Sequence, residues 1–116
     1  MADDCDPAAV FALLDDEYAR TILAATSQQS MTATELSDQC DMSLSTVYRR
    51  TEDLETCGLL ETRTEIDADG HHTAVYSARL ERLTVELTDG VYDVSLSTKS
   101  RTREFADAFT DLWEGL

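Results

Sequence analysis

Between Thr32 and Gly58 the chain carries two helix starts, one tight turn and one helix stop, and that spacing restricts the fold more than any other feature. Thr32-Ala33-Thr34-Glu35 matches a capping box, in which the threonine hydroxyl takes a first-turn amide and the glutamate reaches back to the cap. The short helix that follows turns Leu36 inward and ends near Gln39-Cys40. Asp41-Met42 leaves only a tight turn before Ser43, a second N-cap residue whose hydroxyl accepts from a free amide. Gly58 suits the position just past a helix end, where the chain swings to positive φ. Two short helices joined by about 3–4 residues describe a helix-turn-helix, here spanning 32–57.

In the second helix, 43–57, Leu44, Val47, Thr51 and Leu54 recur at helical spacing and predict one buried face. The opposite face presents Ser45, Thr46 and Arg49, with Ser43 at its head and Tyr48 and Arg50 on its flanks. No carboxylate follows Ser43 until Glu52. Small donors and arginines at the front of a helix are what reading base edges in a major groove requires. Arg49, central on that face, is expected to contact a base edge such as guanine N7/O6, with Ser45 and Thr46 reaching bases or phosphates. Tyr48 and Arg50 suit the phosphate backbone; for Arg50 a surface ion pair with Asp53 or Glu52 is the alternative. The structural alternative for the whole face is an amphipathic helix whose outer side is merely solvated.

After Gly58 an extended run, a polar tip (DADGHH) and a returning run (TAVYSAR) form a hairpin pattern over 59–79, which makes the unit a winged helix-turn-helix. His71 and His72 at the tip, with Arg63 on the rising strand, are expected near a minor groove or phosphates, the alternative being exposed polar filler. Asp67 and Asp69 in the same loop oppose DNA except at high salt, and carboxylates beside a phosphate can share a hydrated salt cation.

Upstream, residues 1–5 are expected to fray, and Asp6-Pro7 starts a helix containing Val10, Phe11, Leu13 and Leu14. A second helix runs to about Ala25, with Tyr18, Ile22 and Ala25 on one side and Ser27–Ser30 as the connecting loop. Downstream, alternation at Leu83, Val85 and Leu87, the turn signal Asp89-Gly90 and the run Val91–Leu96 predict a second hairpin over 83–96 that extends the wing sheet. A helix over 100–116 carries Phe105, Phe109, Leu112, Trp113 and Leu116 on one stripe. With Val10, Phe11 and Leu14 that stripe is expected to form a homodimer seam; the alternative is that the helix folds back on its own first helices. The predicted architecture is therefore α+β: a single domain over 1–116, a winged helix-turn-helix with an extra β-hairpin and a C-terminal dimerisation helix.

The 24 acids against 9 bases give a net charge of −15, unusual for a nucleic-acid partner. Hydrophobic residues at 42% with clear periodicity exclude a disordered acidic chain. Only Lys99 is a lysine. An acid-rich, lysine-poor surface fits a medium of molar salt, where the Debye length is about 3 Å and repulsion from phosphates is screened. The alternative is an acidic protein that avoids nucleic acid. Cys5, Cys40 and Cys57 are odd in number and widely spaced, so free thiols and a cytoplasmic location are expected, with Cys5 exposed and Cys40 and Cys57 buried. No cysteine or histidine spacing matches a zinc site, and neither metal nor cofactor is expected. Residues 1–6 do not resemble a targeting segment, and no apolar run nears the roughly 20 residues that cross a bilayer. Without a glycine-rich phosphate loop, a nucleophile elbow or converging carboxylates, an enzyme is not expected.

The span from about Asp16 to Arg79 resembles the ArsR-like winged helix-turn-helix regulators, among them the small acidic ones of halophilic archaea. The stretches that carry the resemblance are TATELSDQCDMSLSTVYRRTEDLETCGLLETR and DADGHHTAVYSAR, and the tail FADAFTDLWEGL is similar to the closing helix of such proteins. The resemblance implies a transcriptional regulator that binds double-stranded DNA. The short Cys-x-Cys pattern of metal-sensing members is absent here; oxidant-responsive regulators occur among the small relatives. Two rivals remain: a winged helix used as a protein-interaction module, and a ligand- or redox-switched sensor with its effector site inside the dimer.

Overall fold

The computed structural model describes residues 5–99. Residues 100–116, where the closing helix and Phe105, Phe109, Leu112, Trp113 and Leu116 of the seam are expected, lie outside the described residues. The chain divides into two compact units, the first ending at Leu80 and the second beginning at Glu81, where the sequence pattern had suggested one.

The first unit opens with α1 (Pro7–Asp15) and α2 (Glu17–Gln28), each started by an aspartate. Asp6 accepts from the Ala9 amide and Asp16 from the Ala19 amide, both at 2.9 Å. Such caps satisfy donors that helix geometry leaves free. The Arg20 guanidinium donates to the Leu14 and Asp15 carbonyls at 2.8 Å, placing a cation on the negative end of α1. Val10 and Leu13, three residues apart, are buried on the α1 face turned to the core, as are Ala19, Ile22 and Leu23 of α2. Val10 is thus wholly consumed by its own core and cannot line a seam between copies. Phe11 stays exposed and Leu14 half-buried.

A strand the sequence pattern did not reveal, β1 (Met31–Thr32), precedes α3 (Ala33–Gln39). The capping box forms as expected: Glu35 N donates to Thr32 Oγ1 at 3.1 Å and Thr32 N to Glu35 Oε1 at 3.0 Å. The turn into α4 (Leu44–Thr56) is pinned by Ser37, whose hydroxyl donates to the Met42 carbonyl at 2.6 Å. Asp41 takes positive φ there, a conformation short polar side chains tolerate. Val47, Thr51 and Leu54 are buried; replacing a leucine so placed by alanine costs about 2–5 kcal/mol. Leu44 departs from the expected stripe and is exposed, because the core ends one turn further in, at Val47 and Met42. Beyond α4, the Gly58 amide donates to the Glu55 carbonyl and the Leu59 amide to the Leu54 carbonyl, both at 2.9 Å. That paired closure needs a left-handed residue between, and Gly58 has φ +73°.

The wing is β2 (Leu60–Ile66) and β3 (His72–Ala78), antiparallel from Leu60↔Ala78 to Ile66↔His72. β1 pairs on the other edge of β3, giving sheet order β1-β3-β2. Leu60, Val75, Tyr76 and Met31 seat the base of the sheet in the core, while everything from Thr62 to His72 is exposed. β4 (Leu80–Thr88), which belongs to the second unit from Glu81 onward, and β5 (Val91–Thr98) pair with each other as a separate two-stranded sheet. The second hairpin therefore does not extend the wing sheet. Val85, Leu87, Val91 and Tyr92 are exposed on it.

The cysteines overturn their expectation. Cys5 and Cys57 form a disulfide, and both are buried. Cys5, expected exposed in a frayed end, is held at 1% exposure, because the start of α1 lies beside the end of α4. Cys40 alone is a free thiol, half-buried at the end of α3.

Candidate nucleic-acid interface

The front of α4 is built by its cap. Ser43 Oγ accepts from the Thr46 amide at 3.2 Å, donates to Thr46 Oγ1 at 2.9 Å and lies 3.1 Å from Ser45 Oγ. Three hydroxyls therefore cluster at the positive end of the helix, with no acid in the first turn. Such an end favours anionic oxygens. Tyr48, at 54% exposure, and Arg49 stand on the outer face. Among the described residues Arg49 has no hydrogen bond or ion pair, so its five donors are free to meet an acceptor from outside. Ser43, Ser45, Tyr48 and Arg49 thus share one exposed surface, with Thr46 half-buried among them.

Arg50 does not join them. Its guanidinium meets Asp16 at 3.0 Å, and its carbon Cζ lies 5.9 Å from the centre of the Tyr18 ring. The partner is neither Asp53 nor Glu52 but the cap of α2, which no local pattern in α4 predicts. Both side chains of the pair are about three-quarters buried. Burial pushes the Asp16 carboxyl up, but the Ala19 amide and the Arg50 guanidinium outweigh it and hold it below the ordinary aspartate range. Asp16 and Arg50 are separated in sequence by the whole of α2 and α3, and no signal in the sequence joins them.

The wing residues are scattered differently. Arg63 donates to Ser30 Oγ at 3.1 Å, and Ser30 in turn meets Ser77 Oγ at 2.6 Å. Glu65 lies 3.8 Å from the same guanidinium, so Arg63 serves the sheet that holds the wing to β1. At the tip the Asp67 carboxylate accepts from the amides of Asp69 and His71 at 2.9 and 2.8 Å. The His71 ring nitrogen stands 3.6 Å from the other Asp67 oxygen. Asp67, Asp69 and His71 bring potential ligand atoms within 4.8 Å of one another, all exposed; His72 is exposed at the start of β3. No helix among the described residues is long and apolar enough to cross a membrane.

Residues 23–64, from the second half of α2 through most of β2, match the IclR helix-turn-helix domain. The match covers the whole helix-turn-helix and supports a winged helix-turn-helix DNA-binding regulator. No curated protein matches the chain.

Proposed function

We propose that this chain is a sequence-specific transcriptional regulator of the ArsR-like, small acidic haloarchaeal kind, binding double-stranded DNA as a homodimer with α4 in the major groove. The observation that carries the reading is the exposed, carboxylate-free front of α4, ending in Arg49, which has no hydrogen bond or ion pair among the described residues. Arg49 reads a base edge, in keeping with the bidentate guanine contact such side chains make. Ser43, Ser45, Thr46 and Tyr48 meet bases or phosphates around it, and His71, His72 and Arg63 bring the wing to the backbone or the minor groove. Arg50, drawn inward to Asp16, positions the helix and touches phosphate only at its rim. Two copies present two such helices one DNA turn apart, ~34 Å. Phe11 contributes to their seam together with the apolar stripe of 105–116; Leu14 flanks it. Salt cations at the wing tip offset its carboxylates. The protein works in the cytoplasm, where its DNA is, and catalyses no reaction.

The test is selection of duplexes from a random pool by the full-length protein at high KCl, followed by a shift assay on the selected site. A two-fold symmetric site bound by the wild type but not by Arg49→Ala supports the reading. Recovery of no enriched duplex, or equal binding by Arg49→Ala, overturns it. The acidic wing tip favours a second reading, a winged helix that docks a protein partner with a basic surface. In that case Arg49→Ala changes nothing, while Asp67→Asn with Asp69→Asn abolishes docking.

A further inference from the structure

A cleft of about 350 Å³ separates α1 from the last turns of α4, lined by Ala9, Ala12 and Leu13 on one side and Arg50, Asp53 and Cys57 on the other. Arg50 and Cys57 are seven residues apart, two turns along one face of α4. Each carries a link to the α1 side. Arg50 pairs with Asp16 just past the end of α1, and Cys57 is bonded to Cys5 just before its start. The two helices therefore run antiparallel across the cleft, tied by an ion pair at one end and a covalent bond at the other.

We propose that the Cys5–Cys57 bond is a thiol-exchange site, opened by a low-molecular-weight thiol that enters through this cleft and attacks Cys57. Three observations converge on it. Both cysteines are buried, so a protein-sized reductant has no face to dock against, whereas the cleft places Cys57 on the wall of a space that admits a small molecule. Cys57 is the closing residue of α4, its amide bonded to the Asp53 carbonyl at 3.3 Å, so the bond reports directly on the end of that helix. Opening it does not dismantle the unit, because Val10, Leu13 and the Asp16–Arg50 pair still hold α1. A disulfide in a compartment kept reduced is usually a transient, switching one; that supporting point alone rests on the DNA-binding reading above.

The exchange balances as follows. A thiolate RS⁻ attacks Cys57 Sγ, the Cys5–Cys57 bond breaks, and Cys5 leaves as a thiolate that takes a proton from water. A second RS⁻ attacks the Cys57–SR mixed disulfide and releases the Cys57 thiolate with RSSR. Two thiols are oxidised and the protein disulfide is reduced by two electrons; RSSR reverses both steps. Once the bond is open, the start of α1 is freed from the end of α4.

The experiment uses the full-length oxidised protein, free cysteine as the thiol probe, acid quenching, alkylation and peptide mass mapping, with no DNA present. The first adduct is expected on Cys57, followed by free thiols at both Cys5 and Cys57. Ala12→Trp, an exposed cleft-wall position, is expected to slow opening by about tenfold or more by blocking access. Ala24→Trp, exposed on α2 away from the cleft, leaves the rate unchanged. Should Ala12→Trp misfold by circular dichroism, a series of thiols of rising bulk on the wild type replaces it, and the rate falls as the thiol outgrows the cleft. Amide exchange in α1 is expected to rise by about tenfold or more on opening while β1–β3 stay protected. Adducts on Cys5, opening only in denaturant, rates indifferent to both Ala12→Trp and thiol bulk, or unchanged α1 exchange each overturn the proposal. Because no DNA enters the assay, these outcomes are independent of whether the chain binds an operator.

Discussion

The two halves of α4 each carry hydroxyls and one arginine, but only the rear half carries acids, and the two are used in opposite ways. From Ser43 to Arg49 the polar side chains bond only within the first turn of the helix or point outward, and the arginine is unpartnered among the described residues. From Arg50 to Cys57 nearly every informative side chain is tied to another element: Arg50 to Asp16 and Cys57 to Cys5, with Thr51 and Leu54 in the core. Adjacent arginines thus have different fates. On a helix successive residues point about 100° apart, so Arg50 faces the cap of α2 while Arg49 faces solvent. The lesson is that a helix able to enter a groove needs a rear half fixed firmly enough to present the front half in one orientation.

The comparison can be broken most easily at its covalent end. Closing 52 residues of sequence separation removes chain entropy from the unfolded state worth about 4 kcal/mol in the loop-closure model. Cys5→Ser and Cys57→Ser are therefore expected to lose similar amounts of stability in non-reducing urea titrations, since each removes the same bond. A loss at one position without the other would show that the bond is not what holds these ends.

At the front, Arg49→Ala is expected to lower affinity for a selected site by about 1–3 kcal/mol, roughly 5- to 150-fold, with no change in the denaturation midpoint. Arg50→Ala should do the reverse, lowering the midpoint more than it lowers site discrimination. A shift assay and a melt on each variant decide the matter, and interchangeable phenotypes would erase the division of the helix.

Acid should attack the rear half selectively. The folded Asp16 carboxyl is held below its usual range, so its contribution to stability is present above the unfolded aspartate pKa, near 3.9, and is lost as pH falls through the folded value. Asp16→Asn is expected to be less stable than wild type at neutral pH, with the gap closing below about pH 4. A gap that stayed undiminished as pH fell further, well below that value, would remove the ion pair and the cap from the account.

The smallest effect belongs to the wing. Asp67→Asn with Asp69→Asn should raise DNA affinity at low salt, and the gain should vanish near molar KCl, where the Debye length is about 3 Å. An equal gain at both salt concentrations would mean that the loop acts through its shape, since Asp67 also bonds two backbone amides.

Much of the unit was legible because its signals are local. A capping box, a serine cap and a glycine stop act over three or four residues, and each forms where its residues stand: Thr32 with Glu35, Ser43 with Thr46, Gly58 after α4. The exposed face of Arg49 followed from helical phase alone. Leu44 shows the limit of that logic, since phase gives a direction but not where the core stops. β1 was invisible because two residues, Met31 and Thr32, carry no periodicity and are strand only through their pairing with Tyr76 and Val75.

By itself, the order of residues determined where α1, α3 and α4 start and where α4 ends, the turn between α3 and α4 and the face that carries Arg49, because hydrogen-bonding caps and side-chain period depend on near neighbours; α2, expected to end near Ala25, runs on to Gln28. Only the tertiary structure decided that Arg50 answers to Asp16, that Val10 belongs to the core, that Cys5 finds Cys57 and that β4–β5 forms a sheet of its own. The first three depend on which segments lie side by side once the helices have packed, and the last on which strand edges meet. Distance along the chain carries no trace of either.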